Sequence, residues 1–149
     1  MHGERFFREF SRIMELGDHG GRARELAVFL ESLGYLRSKS SAENVTLICS
    51  YFSLESLYHI VAGSLLTPVP DMALNAFERL AGVIPPEDLA EVAQRRKRLG
   101  QFIQLCGSSP FLVNLIYKVP AAFRWLFLEN AVDLARRGGE MLAALRSQV

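Results

Sequence analysis

Apolar residues recur at three- and four-residue steps along nearly the whole chain, the spacing that lines one face of a helix. Phe6, Phe7, Phe10, Ile13 and Met14 form the first stripe, with Glu4, Arg5, Arg8, Glu9 and Arg12 between them. Gly17-Asp18-His19-Gly20-Gly21 ends that helix, because glycine supplies the positive φ of a helix terminus. A second stripe runs through Leu26, Ala27, Phe29, Leu30 and Leu33, with Gly34 as its C-terminal cap. Ser40-Ser41-Ala42-Glu43 fits a capping box, in which hydroxyl and carboxylate each satisfy an orphan N–H, so a third helix is expected from near Ser40. Its apolar content (Val45, Leu47, Ile48, Tyr51, Phe52) is nearly continuous. Ser53 caps a fourth helix carrying Leu54, Leu57, Tyr58, Ile60, Val61 and Leu65, which stops before Thr67-Pro68-Val69-Pro70, where residues preceding proline disfavour helix.

Asp71 then reads as the N-cap of a helix buried along Leu74, Phe77, Leu80 and Ala81 and closed by Gly82. Pro85-Pro86-Glu87-Asp88 opens another. Ser109-Pro110 pairs an N-cap with proline in the first turn, a strong start signal for the face Phe111, Leu112, Leu115, Ile116 and Val119. Pro120 breaks that helix and opens a short aromatic one with Phe123, Trp125, Leu126 and Phe127. The stretch from about Asn130 to Ser147 is amphipathic, and Gly138-Gly139 is expected to bend or fray it. Period-two alternation and Asn-Gly hairpin signals are absent. The expected fold is all-α: one domain over residues 1–149, a compact array of about eight or nine short helices. A weak internal echo sets Leu47–Val61 against Gln104–Val119 and would mark two stacked helical units. Two amphipathic helix pairs drawn from the same few residue types also give it by chance, which is the favoured reading.

Composition narrows the class. The chain has 149 residues, 50% hydrophobic and 22% charged, with a formal net charge of +1. That balance excludes a disordered tail and gives no bulk field for nucleic acid or anionic lipid. Arginine outnumbers lysine fourteen to three, which suits planar, forked ion pairs between helices. Cys49 and Cys106 sit in apolar runs and read as buried free thiols. The N-terminus is charged throughout, and the longest apolar stretches, Leu54–Leu66 and Phe111–Val119, are interrupted by Glu55, His59, Asn114 and Lys118. Neither approaches the roughly 20 residues that span a bilayer. A soluble cytoplasmic protein, without membrane partners, is the expectation.

Candidate chemistry is sparse. His2, His19 and His59 each lack a His or Cys three or four residues away, so metal ligation is not expected. Asp18, Asp71, Asp88 and Asp133 stand apart, with no paired acids to hold two divalent ions. Gly63-Ser64 and Gly107-Ser108 superficially resemble the Gly-Ser of nucleotidyltransferase sites, yet no metal carboxylates follow either. Arg95-Arg96-Lys97-Arg98 is a candidate basic patch for phosphates or an acidic partner; the favoured reading is a solvated helix face between Val92 and Leu99. Interleaved aromatics are missing there, so nucleic acid is disfavoured. The cluster Phe111, Tyr117, Phe123, Trp125 and Phe127 reads mostly as core, with Trp125 as a candidate surface anchor because it lies one position off the stripe.

Two segments carry a family resemblance. Asp71-Met72-Ala73-Leu74-Asn75-Ala76-Phe77-Glu78-Arg79-Leu80 resembles the D-x-A-L-N-N-[LF]-E-R-[LF] segment near the start of the glutamine synthetase adenylyltransferases. Leu105-Cys106-Gly107-Ser108-Ser109-Pro110-Phe111-Leu112-Val113-Asn114-Leu115-Ile116 is similar to that family's L-x-G-x-S-x-F-L-x-x-L-L, followed as in the family by a basic residue and a proline, Lys118 and Pro120. Order and spacing agree from Asp71 to Phe127. The second Asn of the family's pair is Ala76 here, and the residues before about Val45 carry no motif of this kind.

The resemblance implies a non-catalytic helical region of an enzyme family that attaches AMP to glutamine synthetase and removes it, under control of the signalling protein PII. The matched segments precede the family's first catalytic core. Its Gly-Ser and paired-aspartate metal site has no counterpart, so no catalytic residue carries over, and ATP and Mg²⁺ would belong to a catalytic domain outside this chain. The implied partners are the other domains of a larger nucleotidyltransferase, glutamine synthetase or PII. Asn75, Glu78 and Arg79 are candidates for polar contacts within or between helices, while Ser109, Pro110 and Phe111 are expected as cap, first turn and core plug. The alternative is an independent helical adaptor or homo-oligomerisation module, which an exposed apolar patch around Trp125 would favour.

Overall fold

The computed structural model describes residues 2–129. Among them nine α-helices succeed one another with no strand, as the periodicity predicts. They are α1 His2–Met14, α2 His19–Leu33, α3 Ser38–Ile48, α4 Leu54–Ser64, α5 Pro70–Ala81, α6 Pro86–Ala93, α7 Arg96–Ser108, α8 Pro110–Lys118 and α9 Ala121–Arg124. A 3-10 turn, Cys49–Tyr51, joins α3 to α4, and a π turn, Trp125–Glu129, continues α9. The expected amphipathic stretch from Asn130, with Gly138-Gly139, lies outside the described residues.

Local chemistry explains most helix ends. Asp18 accepts a hydrogen bond from the Gly21 N–H, Ser53 from Ser56 and Ser109 from Leu112, each satisfying an orphan donor of a first turn. Gly34 closes α2 at φ 118°, a left-handed conformation that a Cβ would strain.

Three boundaries differ from the sequence expectation. Helix α3 begins at Ser38, ahead of Ser40, and Ser41 is an interior residue whose hydroxyl donates to Asp71. Helix α5 begins with Pro70 after Val69, so Asp71 does not cap its own helix. The basic run is not one helix face: α6 stops at Ala93 and Arg95 is the N-cap of α7. Val92 and Leu99 are both buried, and the chain between them breaks at Gln94, the C-cap of α6.

Helices α5 and α7 form the centre; α5 packs on α3, α4 and α8, and α7 on α4, α6 and α8. A chain of rings crosses this centre, with centroid separations of 5.6 Å for Phe52–Phe77, 5.1 Å for Phe77–Phe102 and 4.8 Å for Phe102–Phe123. Such pairs contribute about 0.5–1.5 kcal/mol each beyond the area they bury. Phe10 of α1 meets Phe29 of α2 and Tyr58 of α4, which seats the N-terminal helix on the same core.

The two Gly-Ser pairs are packing devices. A Cβ on Gly107 would lie 2.4 Å from the Thr67 Cβ, and one on Gly63 would lie 3.1 Å from the Ile103 Cδ1. Glycine therefore lets α7 approach the α4–α5 connection and lets α4 approach α7. The neighbouring hydroxyls of Ser64 and Ser108 donate to the carbonyls of Ile60 and Gln104 in their own helices. Of the two cysteines, Cys106 is buried as expected. Cys49 is only half-buried, because it opens the 3-10 turn after α3. The chain bends by 109° between α7 and α8, and no single helix among the described residues is long and apolar enough to cross a membrane.

Candidate functional site

The two segments with the family resemblance lie against one another. The first is α5, whose Leu74, Phe77 and Leu80 are fully buried at the i, i+3, i+6 spacing that defines its inward stripe. The second comprises the end of α7, the Ser109 corner and α8, which buries Val113 and Ile116. Both α7 and α8 contact α5.

Arg79 ties these segments together at the surface. Its guanidinium donates to the Asn114 Oδ1 at 3.2 Å and lies 4.2 Å from the centroid of the Tyr117 ring. Asn114 and Tyr117 are three residues apart and share an outer face of α8. This arrangement is a planar-cation clamp, for which lysine is a poor substitute. Of the other two candidates on α5, Asn75 is exposed and Glu78 half-buried, and neither forms a hydrogen bond or ion pair among the described residues. Arg79 is thus joined to α8, not to Asn75 or Glu78.

One placement corrects the sequence reading. Phe111 is 49% exposed and not a core plug. Once Val113 and Ile116 turn inward, a residue two positions before Val113 sits about 200° around the helix and faces out. Trp125 is half-buried and packs against the core, while Phe123 and Phe127 beside it are fully buried.

The basic run divides among separate acids. Arg95 pairs with Glu91 at 3.0 Å, and Arg96 crosses to α4, pairing with Glu55 at 3.1 Å and donating to the Ser56 hydroxyl. Arg98 donates to Gln101 at 2.7 Å, and Lys97 is exposed. Three cations in the first turn of α7 oppose its dipole, so carboxylates on α4 and α6 offset an unfavourable placement. Arg124 extends the same surface, with Asp88 at 2.8 Å and Glu129 at 3.5 Å. His59 stands beside this group, with Glu55 at 4.0 Å. Partial burial holds its imidazole below the usual histidine range, Arg96 adds to that effect, and Glu55 opposes it.

A polar site that the sequence reading did not assign lies between α3 and α5. The buried Asp71 carboxylate accepts from the backbone N–H groups of Leu36 and Arg37 at 2.8 and 3.0 Å. It caps α3 across 34 residues of chain. Nearby, the buried Tyr35 hydroxyl donates to the Val61 carbonyl at 2.8 Å. Burial pushes the Tyr35 phenol up, the Asp71 charge adds to this, and Ser64 opposes it. The available signal was the lone acid in an otherwise apolar first turn, which equally fits a self-cap. In comparisons with protein-family models, curated proteins and solved structures, nothing matches the chain.

Proposed function

We propose that the chain is a non-catalytic helical interaction domain of the glutamine synthetase adenylyltransferase type, supporting or regulating nucleotidyl transfer carried out elsewhere. The observation carrying this reading is that its two motif-bearing segments, far apart in sequence, meet along α5, α7 and α8 and are clamped by Arg79 on Asn114 and Tyr117. The exposed edge of this unit, with Asn75, Arg79, Phe111 and Tyr117, offers the aromatic and arginine side chains from which protein contacts are commonly built.

Surface plasmon resonance with the full chain immobilised tests the proposal. The analytes are glutamine synthetase, PII and a nucleotidyltransferase domain of the family. Saturable binding to one of them, weakened at least about tenfold by Arg79→Glu, is expected. Binding to none of the three rejects the reading. Incubation of the chain with ATP, Mg²⁺ and glutamine synthetase is expected to transfer no AMP, and transfer would overturn the non-catalytic assignment.

A further inference from the structure

On the N-terminal side of the molecule, on helices other than those that carry Arg79, Asn114 and Tyr117, α2 and α3 pack as neighbours and leave a groove of about 670 Å³ between them. Its floor is apolar and small, with Ala27 and Ala42, and its walls include Val28 and Leu47. These two β-branched and aliphatic side chains are 67% and 59% exposed although each belongs to a helix that buries other residues well. The rim carries Arg24, Lys39 and Glu43, and none of the three forms an ion pair among the described residues. A second groove of about 700 Å³ runs on the other side of α2, and Arg24 and Val28 line both. Four arginines and two glutamates line that second groove, so the ridge formed by α2 sits in an excess of positive charge.

We infer that the α2–α3 groove receives an amphipathic helix from a partner protein, one that carries an apolar stripe and an acidic flank. Small residues on the floor let a helix backbone approach closely, and exposed Val28 and Leu47 meet its apolar stripe. The unpaired Arg24 and Lys39 outnumber Glu43 on the rim and select carboxylates beside that stripe, by charge complementarity. Within this chain, residues 130–149 carry three arginines against one aspartate and one glutamate, so their charge is of the wrong sign for the ridge. The inference stands whether or not the family assignment above holds, because it uses neither α5 nor α8.

A displayed library of helical peptides of about 18 residues tests it, with Leu, Ile, Phe or Ala allowed along one stripe and Glu or Lys at the flanking positions. Selection on the full chain is expected to enrich glutamate at the flanks. Selected peptides are expected to bind Arg24→Glu and Val28→Asp variants at least about tenfold more weakly. Both positions are exposed, and matching circular dichroism melts establish that the variants fold. No enrichment, enrichment of lysine, or peptides indifferent to both substitutions would overturn the proposal. So would a concentration-dependent dimer of the unmodified chain, seen in sedimentation and abolished by Val28→Asp, since the groove would then serve a second copy.

Discussion

The carboxylate of Asp71, near the start of α5, accepts a 2.7 Å hydrogen bond from the hydroxyl of Ser41 in α3. With the Leu36 and Arg37 N–H groups on the same two oxygens, this side chain fastens the α2–α3 connection to the central helix. Asp71→Ala strands the buried Ser41 hydroxyl and two part-buried N–H groups and is expected to cost about 3 kcal/mol, with a fall in Tm of about 6–12 °C. Asp71→Asn, which keeps one acceptor oxygen, is expected to lose less. Urea unfolding of the two variants checks the order, and an unchanged midpoint for Asp71→Ala rejects the capping role.

Two glycines in α7 are expected to respond in opposite directions. Gly107→Ala drives a Cβ into Thr67 and is expected to cost about 2 kcal/mol. Thr67→Ala does not rescue it, because the nearest atom is the Cβ that alanine retains. A Cβ on Gly100 meets nothing within 4 Å, so Gly100→Ala is expected to stabilise by about 0.5–1 kcal/mol through helix propensity. Thermal melts of the single and double variants distinguish these cases.

At the 109° corner between α7 and α8, the Ser109 hydroxyl accepts from the Leu112 N–H at 3.2 Å. Ser109→Ala is expected to lower stability by about 1 kcal/mol, and Ser109→Asp to retain most of it. Chemical denaturation gives the comparison directly.

His59 supplies a pH dependence of known sign. Its folded-state pKa lies below the ordinary 6.5, so below that pH the unfolded chain binds more protons than the folded one. The contribution is fully present above pH 6.5 and fades as pH falls through the folded value. Removing the cation in Arg96→Met is expected to raise the His59 midpoint, and Glu55→Gln to lower it. Following the imidazole resonance by NMR measures both shifts, and movement in the reverse sense contradicts the assigned causes.

Much of the fold was readable from spacing and punctuation. The stripes of α1, α2 and α5 face the core as their periodicity requires, and Ser53, Ser109 and Gly34 act as the caps their chemistry suggests. Misreadings arose where a side chain had two suitable partners and only tertiary structure chose between them. Asp71 suits its own helix by sequence but is claimed by α3, whose start is otherwise uncapped by a side chain. Phe111 looks like core by type, yet the register of α8 is set by Val113 and Ile116. The clamp of Arg79 on Tyr117 joins residues 38 positions apart, beyond the reach of any local pattern. Groove and rim between α2 and α3 were equally invisible, because alanines and scattered charges on two helices define them only once those helices pack.

Cys106 lies sealed in the core, and burial pushes its thiol well above the ordinary range. A thiol-alkylating reagent can therefore react with it only after the surrounding helices part. Its alkylation rate becomes a clock for opening of the whole bundle, while half-buried Cys49 times the local loosening of the turn before α4.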